Sequence, residues 1–310
     1  MIQQVQLVAQ ENEDGMRVDA FVLAKTPSST RALVRNALAD EQILLNNRPA
    51  AKGDRIHPGD SILILNLHED SDRRVLPDLA LPLDVVFEDE SLLVLNKPPG
   101  IPVHPLRIEE TGTLANAMVA RYPELAVIGD DPLFPALAHR IDTDTSGLVI
   151  AARTDEAYAS LRRQFRERKV LKEYVALVRG RTPEHGKLEH YLMHNPARRG
   201  QMIASSNAPA RKGLRPMRAI TEYRRARIFE EYTLLNVTIR TGVTHQIRCQ
   251  LAAVGFPIAG DKLYGGDDPL LARHFLHATA LTIEHPVSKK RVRSEAPLTE
   301  DLQRTVALLA

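Results

Sequence analysis

Short apolar runs and helix-spaced apolar positions alternate along this chain, and their spacing predicts two unlike parts. Near the start, Ser28-Ser29-Thr30 reads as a cap opening a helix through Leu38. Ile43-Leu44-Leu45 then leads into an Asn46-Asn47 turn, and Pro58-Gly59-Asp60 precedes a strand from Ser61 to Leu65. Two short helices followed by a small sheet account for residues 1–66. The polar stretch His68 to Arg74 has no periodicity and is followed by Pro77 and Pro82, so residues 67–82 are expected to be a linker. From residue 83 to 310 the elements mix irregularly. Strands are expected at Val85-Val86-Phe87, Leu92 to Leu95, Leu148 to Ala152, Glu173 to Val178, Leu234 to Ile239 and His277 to Ile283, and helices at Thr113 to Arg121, Thr154 to Arg168 and Thr244 to Val254. That mixture predicts an α+β domain with a mixed, mainly antiparallel sheet and flanking helices and loops, preceded by the small α+β module.

Composition narrows the class of protein. A chain of 310 residues with 44% hydrophobic content furnishes a substantial core. No stretch approaches the roughly 20 apolar residues needed to cross a bilayer, and the opening Met1 to Gln6 lacks the pattern of a leader, so the expectation is a cytoplasmic protein without membrane contact. Cys249 is the only cysteine, which excludes an intrachain disulfide and multi-thiolate zinc sites. The net charge of +2 conceals a strong asymmetry, because residues 153–227 hold 19 Lys/Arg against 7 Asp/Glu. A basic concentration of this size suits a polyanionic partner, the alternative being a solvated helix face. The first 66 residues carry 7 basic against 8 acidic side chains, so any anion contact there rests on a local patch.

The densest chemistry lies in His139-Arg140-Ile141-Asp142-Thr143-Asp144-Thr145-Ser146-Gly147, next to the apolar Leu148 to Ala152. Acid, base and cation share one short loop beside a strand, where functional groups commonly sit. Aspartates at alternate positions invite a calcium-loop reading, but the twelfth position from Asp142 is Arg153, where a bidentate glutamate is needed. An aspartyl-phosphate enzyme wants its nucleophile after the apolar strand rather than before it. No GxxxxGK[ST] phosphate loop occurs. Taken alone, Asp142 fits an Asx-type turn capping its own backbone.

The run HRIDTDTSG resembles the active-site signature of the RluA-type pseudouridine synthases, and further segments resemble the same family in the same order. These are FEDESLLVLNKPPGIPVHP from Phe87, KEYVALV from Lys172, TGVTHQIR from Thr241, and Gly260-Asp261 through Leu263-Tyr264-Gly265 with LHATALTIEHP beyond. The resemblance implies that Asp142 is the catalytic aspartate, that Tyr174 stacks on the target base, and that Arg248 is the active-site arginine. His139 and Asp144 would support them. Arg140 would fill the space left by a flipped nucleotide, and the Gly260 to Tyr264 segment would be structural. Thr244 reads as the cap of the helix bearing Arg248. Val243 stands where the family usually has an arginine, which removes one cation from the RNA-facing surface. SSTRALVRNAL, ILLNNRPA and HPGDSI resemble an S-four-type RNA-binding module, in which Arg31 and Arg35, one helical turn apart, would face RNA.

The implied reaction isomerises uridine to pseudouridine: the bond from ribose to the uracil nitrogen breaks, the ring turns, and carbon 5 is joined instead. No group is lost and nothing is oxidised, so no cofactor or metal is expected. Asp142 would act as nucleophile or as base near the sugar, two courses the residues leave open. The target would be large-subunit ribosomal RNA by family analogy, with transfer RNA as the alternative and a monomer as the working state. A noncatalytic RNA-binding or ribosome-assembly protein on the same fold is the competing class. A hydrolase pairing Asp142 with Asp144 fits less well, since residues two apart in a loop leading into a strand lack a supported carboxylate separation.

Overall fold

The structure is a computed structural model and describes residues 1–208 and 215–310. Two compact units are present, one formed by Met1–Val75 with Leu106–Glu109, the other by Leu76–Pro105 with Glu110–Ala310.

In the first unit β1 (Ile2–Val8), α1 (Val18–Lys25), α2 (Arg31–Ala39), β2 (Ile43–Leu45), β3 (Arg48–Pro49) and β4 (Ser61–Leu67) follow one another. Its four strands form an antiparallel sheet in the order β1-β4-β2-β3. Thr30 caps α2 by accepting the Leu33 amide at 3.4 Å. The turn between β2 and β3 uses Asn46 and Asn47 with φ of 50° and 64°, the left-handed pair a tight hairpin needs. Phe21, Val22, Val34, Ile43, Ile56, Ile62 and Ile64 make a dry core between helices and sheet. β1 was not among the expected elements, because Gln3-Gln4 interrupts its apolar alternation; pairing with β4 makes it a strand. Arg31 and Arg35 are both exposed on α2, and neither is in a salt bridge among the described residues.

The second unit runs β5 (Val85–Glu88), β6 (Leu92–Lys97), α3 (Leu114–Arg121), β7 (Ser146–Ala152), α4 (Asp155–Arg166), β8 (Leu171–Arg179), β9 (His185–His194), β10 (Met202–Ser205), β11 (Met217–Ile228), β12 (Tyr232–Ile239), α5 (Gln246–Ala253), β13 (Leu276–Glu284), β14 (Arg291–Glu295) and α6 (Glu300–Leu308). Ten strands form one sheet, β10-β9-β11-β12-β8-β13-β7-β6-β5, with β14 also on β13. Every pairing is antiparallel except β13 with β7. The fold is thus α+β with a mixed, mainly antiparallel sheet, and the six strands and three helices read from the pattern are all present. Thr113 and Thr154 cap α3 and α4. The strands that the pattern did not show include β9 and β11, whose sequences HGKLEHYLMH and MRAITEYRRARI carry charges on an exposed face and so resemble surface segments. Residues 209–214, which hold Arg211 and Lys212 of the basic segment, lie outside the described residues.

The parallel contact of β7 with β13 is short, Ser146 opposite His277 and Gly147 opposite Ala278. Gly147 has φ +110°, and a Cβ there would fall inside the Ala278 carbonyl group. A side chain at this position forces apart the two strands that carry the acidic loop. Gly147→Ala is expected to cost at least about 3 kcal/mol in denaturant unfolding; a loss under about 1 kcal/mol would refute so close an approach.

Candidate active site

The loop preceding β7 is held from several sides. Buried Lys97, at the end of β6, donates from Nζ to the carbonyls of Pro98 (2.7 Å), Ile101 (2.8 Å) and Thr143 (2.7 Å), using all three of its protons on backbone oxygens. Burial pulls its pKa down to about 7, partly opposed by Asp144. Arg273 donates to the Asp144 carbonyl at 2.9 Å and to Ser146 Oγ at 3.3 Å, while its Nε and Nη2 hold Asp301 on α6 at 2.8 and 3.2 Å. His274 Nε2 meets Thr145 Oγ1 at 2.8 Å. His277 Nε2 lies 3.2 Å from the Ala296 carbonyl, which assigns the proton there and makes Nδ1, 2.9 Å from Ser146 Oγ, the acceptor. Both imidazoles are held neutral by burial, His274 with its pKa lowered to about 4.

Two elements far apart in sequence meet on this loop. Within α5, Gln246 and Gln250 share one face and are bonded to β9 and β11: Gln246 to the Ile220 carbonyl and Thr221, Gln250 to Thr221 and the carbonyls of Leu188 and Ala219. Arg248 lies two residues from each and therefore points the opposite way. Its Nη1 reaches Asp142 Oδ2 at 2.8 Å, and its Nε and Nη2 clasp Asp261 at 2.7 and 3.0 Å. The guanidinium also sits over the Tyr264 ring, 5.3 Å from its centroid. Asp261 is 1% exposed, so both charges of that pair are out of water.

Asp142 itself is 22% exposed at its side chain and opens onto a cavity of about 610 Å³. Burial pushes its carboxyl up, but nearby His245 and Arg248 outweigh this and hold it below the ordinary carboxylate value. Burial also lowers the pKa of His245, so Arg248 is the partner that remains charged at neutral pH. His245 Nε2 stands 3.9 Å from Asp142 Oδ2. Its Nδ1 lies 3.0 Å from the Tyr264 hydroxyl, which accepts the Met202 amide at 2.9 Å. His245 adopts a left-handed backbone, φ 54°, the kind of local cost kept at sites that need a side chain aimed.

The expected residues gather at this cavity. Asp142, His139, Arg140, Tyr174 and Arg248 all line it. The Asp142 carboxylate is engaged by Arg248 instead of capping its own loop; the local turn is closed by the Thr145 amide on the Asp142 carbonyl. Tyr174 is buried on β8, and its hydroxyl makes no hydrogen bond among the described residues. His139 accepts the Ile150 amide on Nε2 at 3.1 Å and stacks on Phe165, with burial pulling its pKa to about 3, so it serves as a neutral brace of the loop. Arg140 is exposed and in no salt bridge among the described residues. Arg248 read in isolation as a surface cation, and it is 8% exposed. Thr244 does not cap α5: His245 takes that position, and the Gln246 side chain accepts the Val243 amide instead. Val243 packs with Leu192, Met202, Ala219 and Cys249, a side chain suited to an apolar seat. Asp261, read from sequence as structural, is the second anchor of Arg248. Nothing in its local pattern marks it as part of a charge chain; only its proximity to Arg248 does.

Around the mouth stand the exposed Arg162, Arg166, Arg168, Arg218 and Arg240. Arg218 is paired with Glu189 and Arg162 donates to the Ala138 carbonyl, whereas Arg166, Arg168 and Arg240 are in no salt bridge among the described residues. No group of three or more His, Cys, Asp or Glu side chains among the described residues converges as for a metal ion. Nor is any described helix long and apolar enough to cross a membrane.

Comparison with known proteins places this arrangement. The RNA pseudouridylate synthase family matches residues 91–253, a span holding Asp142, Tyr174 and Arg248. An uncharacterized RNA pseudouridine synthase of Chloroflexus aurantiacus is 38% identical over 96% of the chain and 91% of its own length. The ribosomal large subunit pseudouridine synthase D of Nitrosomonas europaea is 32% identical over 96% of the chain and 86% of its own length. The structure of human RNA pseudouridylate synthase domain containing 1 superposes with a TM-score of 0.56 at 26% identity, covering 72% of this chain and 87% of that one. The chain belongs to the RNA pseudouridylate synthase family, and its activity is the isomerisation of uridine to pseudouridine in RNA.

Proposed function

We propose that this enzyme modifies uridines of large-subunit ribosomal RNA, with Asp142 as the catalytic carboxylate, Arg248 as the cation that keeps it ionised and oriented, and Tyr174 as the surface against which the extruded base lies. The observation that carries the reading is an ionised carboxylate fixed by a doubly anchored guanidinium at the wall of an arginine-rimmed cavity. A uridine must leave its stack to enter, at a cost of a few kcal/mol that contacts elsewhere offset. Arg140, exposed and without a salt bridge at the cavity, suits the vacated position in the RNA. Arg166, Arg168 and Arg240 suit backbone phosphates. The names of several relatives, including that from Nitrosomonas europaea, support the ribosomal target.

Residues 1–66 form the RNA-holding module in this proposal and residues 83–310 the catalytic domain; of the expected linker 67–82, residues 67–75 belong to the first compact unit and 76–82 to the second. Arg31 and Arg35 present an exposed basic pair for RNA. In this proposal isomerisation needs no cofactor or metal ion, and the enzyme acts as a monomer in the cytoplasm with the RNA.

Asp142→Asn is expected to abolish tritium release from RNA labelled at carbon 5 of uridine, by at least about a thousandfold, with folding and RNA binding retained. Release equal to wild type would reject the assignment. Mapping pseudouridines in total RNA of a deletion strain is expected to show loss at large-subunit ribosomal positions, and loss confined to transfer RNA would replace the target.

Arg248→Gln removes the charge and hydrogen bond of Arg248 that help His245 oppose burial at Asp142, so its pKa rises and the acid limb of the pH–rate profile moves to higher pH by more than about one unit. The same change strands Asp261 and is expected to cost about 3–5 kcal/mol of stability in denaturant unfolding. An unmoved acid limb would remove Arg248 from this role. Arg31→Ala with Arg35→Ala is expected to weaken RNA binding about tenfold at low salt, as read by filter binding, and to leave the rate at saturating RNA unchanged.

A further inference from the structure

One buried cation at the cavity lacks the partner its surroundings demand. Lys172 on β8 is 6% exposed, yet among the described residues its Nζ makes a single hydrogen bond, 2.7 Å to the Thr241 carbonyl, and is in no salt bridge. Two of its three protons are left for something else. The Phe165 ring covers one side, 5.7 Å from the nitrogen. The other titratable and charged groups lining the cavity are His139, Arg140 and Asp142 on the loop before β7, Arg162, Arg166 and Arg168 on and after α4, Tyr174 on β8, Arg218 on β11, Arg240 after β12, and His245 and Arg248 at α5; Asp142 is the one acid, and Arg248 holds it. Lys172 and Tyr174 are two residues apart on one strand, so their side chains stand on the same face, roughly 6–7 Å apart along it. The Asp142 charge acts on Tyr174, and burial is what shifts Lys172. Asp142, Tyr174 and Lys172 thus line one cavity, with Tyr174 near both of the others.

We propose that Lys172 is a catalytic residue that donates to a carbonyl oxygen of the uracil ring and carries the negative charge that collects there when the glycosidic bond breaks. This rests on the assignment of Asp142 and Tyr174 above. With the sugar at Asp142 and the ring against Tyr174, the far edge of the base reaches Lys172. Phosphates are the other anions of RNA, but they belong to the backbone, and the exposed arginines at the mouth are placed for them; the buried ammonium on the floor is placed for the base. When the bond from uracil N1 to ribose C1′ breaks, its electron pair stays with the ring and spreads onto the two carbonyl oxygens. A fixed cation there stabilises that charge more than it stabilises neutral uridine. The ring turns, C5 bonds to C1′, the C5 proton leaves to water and N1 regains a proton, so Lys172 stays protonated throughout. Burial lowers its pKa to about 8, so the active protonated form is lost as pH rises through that value.

The test uses full-length enzyme and total RNA from a deletion strain labelled with 5-tritiated uridine, read as single-turnover rate and as enzyme concentration at half-saturation. Lys172→Met is expected to lower the saturated rate at least about a hundredfold with half-saturation changed less than threefold. Wild type is expected to lose rate above about pH 8; in Lys172→Arg that limb is absent and part of the rate returns. A methionine variant that weakens half-saturation and keeps the saturated rate assigns Lys172 to phosphate and overturns the proposal. So does a wild-type rate that stays level from about pH 7 to 9.5, a result that decides the matter even if Lys172→Met fails to fold. Wild-type enzyme inactive on this RNA, or an Asp142→Asn variant as active as wild type, would instead defeat the reading on which the proposal stands.

Discussion

The whole site depends on one guanidinium shared by two carboxylates. Arg248 is almost dry, and an isolated cation in that position would be expensive; Asp261 neutralises it with two nearly ideal bonds and Asp142 takes the remaining direction. The bidentate clasp fixes the plane of the guanidinium, so Nη1 has only one way to point. Asp142, separated from Arg248 by 106 positions in sequence, is thereby both charged and aimed. A lysine would supply the charge without the planar fork that fixes this geometry.

Around this chain of charges the loop is positioned mostly by neutral or backbone contacts. Lys97 binds carbonyls, His274 and His277 bind hydroxyls, and His139 binds an amide. Such contacts fix the geometry of the loop, while Arg248 is the charged group bonded directly to Asp142. Arg273 extends the bracing to α6 through Asp301, so the carboxy-terminal helix shares in holding the loop. Gly147 allows β13 to approach closely enough for these contacts to form.

The cations divide by exposure. Exposed arginines at the rim have flexible stems and meet a screened, mobile polyanion, where each contact contributes modestly. A buried cation is held still and meets a weaker dielectric, so its interaction with a charge that appears only during reaction is larger. In the proposed reading, grip belongs to the rim and charge stabilisation to the buried lysine.

Runs such as Leu148 to Ala152 and Leu234 to Ile239, caps such as Thr113 and Thr154, and the Asn46-Asn47 turn reveal their structure locally, because apolar period and backbone preference act over a few residues. Asp142, Tyr174 and Arg248 were legible as a set through motif resemblance, and the structure brings them to one cavity. β9 and β11 were not legible, since their exposed faces carry the charges of a surface segment and only pairing makes them strands. The partnership of Arg248 with Asp261, the neutral state of His274 and His277, and the unpaired Lys172 were decided by tertiary structure alone. Each depends on burial and on distances between residues far apart in the chain, and a linear order of residues contains neither.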